Sequence, residues 1–418
     1  MNDFDTYKAD HLFLLLGENP LPNFVAAQLF GRVNPKEEKK PSTLYLVHSK
    51  DTDKQRQKLD EVLRNKGYEN IYAISLGEKE SDKSTIETSI RNLVSKLSGV
   101  VGINYTGGTK AMSVHTYRTI EQLQRKDPTY YSYLDARTLQ MQIEGTGITG
   151  AKSIPVDALV QVTLEELLRL HDRWERKKEM REEGMWKLVT DELAYIHTKQ
   201  QNVKEWRNWC QQQIKKNNEL LSKEEDIEKL TTDIFNCNPV AMRVGEALQH
   251  QLPNLSFPAT FRQLAENSPL KIPDREFLKW FDGTWIEDYV FHCIDELREA
   301  QSISNLALTI EPYLPHKETK KRKTFEFDVV FIRGYQLFAL SCTTGGGHKE
   351  KLLEAVIRAE QLGGSEARVG LVCLTDDVET LTNEVIDLLG KKRLRVFGRR
   401  HLPELQDELK QWIEEAGW

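Results

Sequence analysis

Between His11 and about Ile148 short apolar runs alternate with stretches of helical period, a rhythm that few architectures can accommodate. HLFLLLG, FVAAQLFGRV, STLYLVHSK and NIYAISLG come first, with a helix predicted from Lys54 to Lys66 between the last two. A helix near Ile86 to Ser98, the strand GVVGINYTGG, a helix over MSVHTYRTIEQLQ and the hairpin-like pair TYYSYLD and QMQIEG complete the series. Strand and helix in alternation favour a parallel sheet with helices on both faces, because each crossover must carry the chain back to the same end of the sheet. Residues 1–155 therefore read as a Rossmann-like α/β unit.

The texture changes beyond Pro155. Thr163-Leu-Glu-Glu166 has the spacing of a capping box and opens a long polar, helical stretch to about Leu221. Trp174, Trp186, Trp206 and Trp209 stand in it among charges and are expected to anchor helix packing. Residues 156–274 thus read as a helical middle region, interrupted by Pro239, Pro253 and Pro258. From Arg275 the order is a helix over FLKWFDGTWIEDYVFHCIDELREA, the strands LALTIEPYL, TFEFDVVFIRG and YQLFALSCTTGGG, and the helix KEKLLEAVIRAEQLGG. The strand RVGLVCLTD, a helix through Leu389 and the strand RLRVFG follow, so residues 275–418 form a second α/β unit.

Composition agrees with several packed units, since 418 residues at 39% hydrophobic exceed one ordinary domain. A formal charge of -6 excludes a uniformly basic nucleic-acid binder and leaves room for local patches. One such patch is His316 to Lys323, five bases in eight residues, which suits a solvated hairpin tip or a phosphate-backbone contact. Five dispersed cysteines without a CxxC pair fit neither a zinc module nor a disulfide framework, and no apolar run approaches the ~18 residues needed to span a bilayer. A soluble, cytoplasmic protein without a membrane partner is expected.

Thr106-Gly-Gly-Thr-Lys110 falls at the end of the fourth candidate strand, where open α/β sheets bind ligands. Gly107 and Gly108 permit close backbone approach, Thr106 and Thr109 add hydroxyls, Lys110 adds a cation, and the following helix directs its amides outward, which suits phosphate. The GxxxxGK[ST] loop of nucleoside triphosphatases is absent. Two more polar turns, Gly17-Glu-Asn-Pro20 and His48-Ser49-Lys50, end the first and second strands and would converge on the same crevice.

INYTGGTKAMS after such a strand, with the early LLLGENP turn, resembles the CARF domain of CRISPR-associated effectors over roughly residues 8 to 150. The resemblance implies a homodimer that binds cyclic oligoadenylate at its dyad. Backbone amides and cations would hold the phosphates, with Asn19, Ser49 and Asn104 toward the adenines and 2′-hydroxyls.

In the C-terminal unit Glu326 and Asp328 are two apart in TFEFDVVF and would share one face of a strand, and Glu287 stands on the preceding helix in GTWIEDYVF. A helix acid, a strand acid and an adjacent antiparallel strand resemble the PD-(D/E)xK nuclease core. That resemblance implies Glu287 and Asp328 as ligands of Mg2+ or Mn2+ and a lysine that positions or activates water. The chain departs from the third motif, since Ser341-Cys-Thr343 stands where an acid, one residue and a lysine are expected. Lys349 or Lys351, early in the next helix, would have to reach back. Arg395 and His401 match an R-x5-H ribonuclease spacing, but in a strand-and-turn context that speaks for coincidence.

Together these readings give a CARF-type sensor, a helical middle and a restriction-endonuclease-like effector, as in ancillary nucleases of type III CRISPR systems. The expected activity is metal-dependent cleavage of DNA or RNA, switched on by cyclic oligoadenylate. Two alternatives stand beside it: a messenger-controlled binder with a degenerate nuclease domain, and a ring nuclease that cleaves the messenger itself.

Overall fold

A computed structural model describes residues 3–33, 40–135, 138–156, 159–171, 181–310, 326–364, 367–389 and 394–415. The basic run at 316–323 and Trp174 lie outside them. The N-terminal unit runs β1 (His11–Leu15), α1 (Leu21–Phe30), β2 (Thr43–His48), α2 (Asp53–Asn65), β3 (Ile71–Ser75) and α3 (Lys83–Val94). It continues through β4 (Val101–Asn104), α4 (Lys110–Gln122), β5 (Thr129–Asp135), β6 (Gln140–Gly145) and β7 (Lys152–Pro155). Strand order is β3-β2-β1-β4-β5-β6-β7, with the first five parallel and β6 and β7 antiparallel. Sequence direction reverses between β1 and β4, so the crevice beyond their carboxyl ends is the topological switch point. β7 has no counterpart in the sequence pattern, because four residues with a single buried side chain carry too little alternation to register.

The middle region consists of α5 (Leu164–Leu170), α6 (Lys187–His197), α7 (Gln200–Gln213), a two-residue hairpin β8 (Lys215–Lys216) and β9 (Glu219–Leu220), α8 (Glu224–Ile227), α9 (Pro239–Gln251) and α10 (Phe261–Glu266). The capping box at Thr163 is present in both directions, Thr163 N–H to Glu166 Oε2 at 2.9 Å and Glu166 N–H to Thr163 Oγ1 at 3.2 Å. Trp186, Trp206 and Trp209 are buried, which bears out their reading as packing anchors. Trp206 and Trp209 stack at 4.6 Å between centroids, and both approach Phe281 from the next unit.

That unit runs α11 (Asp274–Lys279), α12 (Trp285–Asp295), β10 (Ile303–Ile310), β11 (Phe327–Arg333), β12 (Gln336–Thr343) and α13 (His348–Gly363). β13 (Arg368–Cys373), α14 (Val378–Leu389), β14 (Leu394–Phe397) and α15 (Leu405–Glu415) complete it. The sheet order is β10-β11-β12-β13-β14, antiparallel through β12 and parallel beyond. Alternation along β11 and β12 divides the core. Val330, Ile332, Leu337 and Ala339 join the N-terminal unit's apolar cluster through the leucines of α5, while Val329, Phe331, Phe338 and Leu340 pack with α12, α15 and the middle helices. α5 is therefore a wedge between the two α/β units, held also by Val162 N–H to Gly334 O at 2.9 Å. Among the described residues no helix is long and apolar enough to cross a membrane.

Candidate functional site

Two sites emerge, one at the switch point of the first sheet and one where α12 meets the second. At the first, Thr109 caps α4 by accepting from Met112 N–H at 3.2 Å, and exposed Lys110 is the first helical residue. The glycines serve packing as well as access. A Cβ on Gly107 would collide with Leu15 O, and Gly108 has φ +78° with Leu15 and Met112 side-chain atoms 3.2 Å from where its Cβ would lie. Gly17 in turn would bring a Cβ 3.1 Å from Gly108 N. The turns after β1 and β4 are thus laid backbone on backbone, and larger residues at 107 or 108 would disturb the loop before any ligand arrived.

The other nominated ligand residues are largely spent on the fold. Asn104 is fully buried and donates from Nδ2 to Ser132 Oγ at 3.0 Å, tying β4 to β5. Thr106 Oγ1 accepts from Leu134 N–H at 2.7 Å, and Ser49 and Thr52 share hydroxyl and amide contacts in a closed turn. Asn19 Oδ1 accepts from Leu21 N–H at 3.0 Å and lies 3.2 Å from His171 Nε2, at the end of α5. Asn23, which no sequence pattern marks, supports the crevice from α1, donating to Leu15 O at 2.8 Å while its Oδ1 is buried without a partner.

At the second site α12 presents Glu287 and β11 presents Asp328. Asp328 Oδ2 accepts from Cys342 N–H at 2.5 Å, and the Ser341 hydroxyl also donates to this carboxylate. Burial, then the charges of Asp328 and Asp288, push Glu287 well above the usual carboxylate range, against the pull of Arg181. Burial raises Asp328 as well, opposed by the Cys342 amide, Lys351, Ser341 and Lys279. Lys351 reaches from the first turns of α13, its Nζ 3.4 Å from Cys342 O. Lys349 does not join it: its ammonium pairs with Glu384 of α14 at 2.8 Å, because two residues at about 100° each turn the two lysines about 200° apart, to opposite faces of the helix. Glu326 stands before β11 rather than in it, exposed, and adds only a minor charge effect on Glu287.

Asp288 has a different job. Fully buried, it accepts from Met185 N–H at 2.8 Å and Trp280 Nε1–H at 2.9 Å and lies 3.5 Å from Arg181, fastening α12 to the middle region. Arg395 pairs with Glu408 and Glu415, and His401 Nδ1 accepts from Gly398 N–H at 2.8 Å. Both roles are structural, as their strand-and-turn context suggested.

The donor set suits a hard divalent cation. Two half-buried carboxylates are both raised by burial, and the charge of Asp328 raises Glu287 further, so a cation between them would relieve both. No group of three or more acid, histidine or cysteine side chains suited to a metal occurs among the described residues, so a closed protein cage is not available. Two carboxylates with water completing the shell are the usual protein contribution to Mg2+.

With this geometry in place, residues 12–157 match the family described as the Card1 CARF domain, and residues 274–416 match the Card1-like endonuclease domain. The chain joins a CARF domain to a Card1-like endonuclease domain. Residues 158–273 lie outside both matches. Among solved structures, Can2 from Sulfobacillus thermosulfidooxidans in complex with cyclic tetra-adenylate is similar at 17% identity and TM-score 0.66, with 97% of this chain and 99% of that one covered. Protein VC1899 from Vibrio cholerae is similar at 14% identity and TM-score 0.68, covering 97% and 98%. At these identities the likeness is one of fold. No curated protein sequence matches the chain. The switch-point turn thus belongs to the CARF domain, and Glu287, Asp328 and Lys351 belong to the endonuclease domain.

Proposed function

We propose that the protein is a cyclic-oligoadenylate-activated, metal-dependent nuclease of CRISPR defence, active as a homodimer in the cytoplasm. The observation that carries this reading is the half-buried Glu287–Asp328 pair with Lys351 beside it, within an endonuclease domain fused to a CARF domain. Glu287 and Asp328 would hold Mg2+ or Mn2+, which would supply Lewis acidity toward a phosphoryl oxygen. Lys351 would place a positive charge where negative charge gathers on the scissile phosphate, taking the role of the missing third-motif lysine. Ser341 and the Cys342 amide hold the Asp328 carboxylate in place. Exposed Lys279, not nominated by the sequence, adds a cation on the same side.

Activation requires that the messenger favour one arrangement of the dimer. The contact between Asn19 in the turn after β1 and His171 at the end of α5 offers a physical route, because α5 packs against both α/β units. The test is to incubate the full chain with cyclic tetra-adenylate, Mg2+ or Mn2+, and single- and double-stranded DNA and RNA. Cutting that needs both messenger and metal supports the reading. Messenger binding without cutting in any metal overturns the enzyme and leaves the binder, a reading favoured by Ser341 and Thr343 at the third-motif positions.

The messenger site gives its own expected result. One TGGTK turn is too small to surround a cyclic tetranucleotide, so calorimetry should find one ring per two chains. Lys110→Ala should weaken binding at least about tenfold through loss of a charge-assisted contact, with an unchanged melting temperature. A variant that binds like the wild type would remove this turn from the site.

A further inference from the structure

Beside the switch-point turn lies an aromatic feature that the fold does not require. Tyr105 follows β4 directly and precedes Thr106, and Tyr133 stands on β5 next to Leu134, whose amide is bonded to Thr106 Oγ1. The two rings stack with centroids 5.9 Å apart and planes within 22°. Tyr105 is locked in place: its hydroxyl donates to Glu144 Oε1 on β6 at 3.2 Å, and Tyr117 of α4 meets its ring edge-on at 6.0 Å. Tyr131, one pleat further back, is buried against Tyr117. Tyr133 ends this aromatic row and is 40% exposed, at the edge of the crevice rather than on an outer helix.

A large ring supported from behind, held beside a turn that offers amides and a cation, is an unfinished stack. Core packing does not account for it, because a side chain needed only for the core would be covered as Tyr131 is. A planar π-face adjoining a phosphate-binding turn has the chemistry of a nucleobase platform.

We propose that Tyr133, backed by Tyr105, is the surface on which one base of the cyclic messenger stacks. The proposal rests on the reading of the CARF turn as the messenger site and adds the residues that hold a base. Glu144 acts through Tyr105 as a positioning residue, since its carboxylate fixes the supporting ring. Stacking is tolerant of sequence, so Tyr133 contributes affinity for any base and more for a purine's larger face.

The test uses the full-length protein with cyclic tetra-adenylate, a cyclic tetra-uridylate, and a cyclic tetra-adenylate carrying 2-aminopurine, whose fluorescence is quenched on stacking. Calorimetry on Tyr133→Ala should show adenylate binding weakened by about 5- to 150-fold, with Tyr133→Phe near the wild type. The wild type should quench 2-aminopurine and prefer adenylate over uridylate, and the alanine variant should lose both. Full affinity and quenching in Tyr133→Ala, with binding lost in Lys110→Ala, overturns the platform while leaving the messenger site standing. If Tyr133→Ala instead becomes monomeric by light scattering with affinity per chain unchanged, the ring is a subunit contact and the proposal fails. A wild type that binds no ring removes the CARF reading and this proposal together.

Discussion

Asp328→Asn should bind cyclic tetra-adenylate as the wild type does and cut nucleic acid at least about a thousandfold more slowly. The proposed messenger site lies on the other sheet, so its affinity has no reason to change. At the nuclease site the substitution keeps an oxygen for the Cys342 amide and lets the Ser341 hydroxyl rotate, so local structure survives. What disappears is an anionic ligand, and with it the several kcal/mol of transition-state stabilisation that a bound cation provides. Single-turnover rates with saturating messenger and a Mn2+ titration measure it. Lys351→Ala should slow the chemical step by about 10²-fold or more at little cost in substrate binding. Lys349→Ala should cut normally, since it loses only an exposed ion pair with Glu384. Wild-type cutting by Asp328→Asn would place the active site elsewhere.

The contrast between the two lysines shows where the sequence was legible and where it was not. Alternating apolar and helical periods sufficed for the parallel sheet, its switch-point turn and the antiparallel pairing of β11 with β12. Those features depend on local periodicity. Which of two nearby lysines faces Asp328 depends on helix phase relative to the sheet, and the start of α13 is set by Gly347 at φ +76°, which no spacing rule locates.

Polar residues showed the same limit from the other side. Asn104, Thr106, Ser49 and Asn19 have the right chemistry for a ligand, yet each has polar atoms engaged in holding neighbouring strands or turns. A buried amide at a strand end must find a partner, and the adjacent strand is nearer than any ligand. The structural role of Asp288 beside Glu287 was illegible for a related reason. Its partners, Met185 and Trp280, are distant or unrelated in pattern, and only the packing of α12 on the middle region brings them together. Adjacent acids on a helix thus divide the work, Asp288 fastening the helix and Glu287 facing Asp328.

That division has a thermodynamic cost, which predicts that Glu287→Gln melts at a higher temperature than the wild type when metal is absent. Burial and the neighbouring Asp328 raise the Glu287 pKa in the folded protein, and Asp328 is raised as well. Above the ordinary glutamate pKa of about 4.3 the unfolded chain has released its proton while the folded chain retains it, so stability falls as pH rises until the folded pKa is passed. The slope is at most about 1.4 kcal/mol per pH unit for each retained proton, which limits the penalty from Glu287 at pH 7 to about 3–4 kcal/mol. Glutamine carries no such proton and should flatten this dependence, raising stability most at neutral and alkaline pH and little near pH 4. Mg2+ or Mn2+ should reverse the order, stabilising the wild type by binding the ionised pair and leaving Glu287→Gln nearly unmoved. Melting curves from pH 4 to 9, with chelator and then with Mn2+, read both effects. If the two proteins melt alike in chelator across that range, the carboxylates are not held in mutual opposition and the pair is not a built cation site.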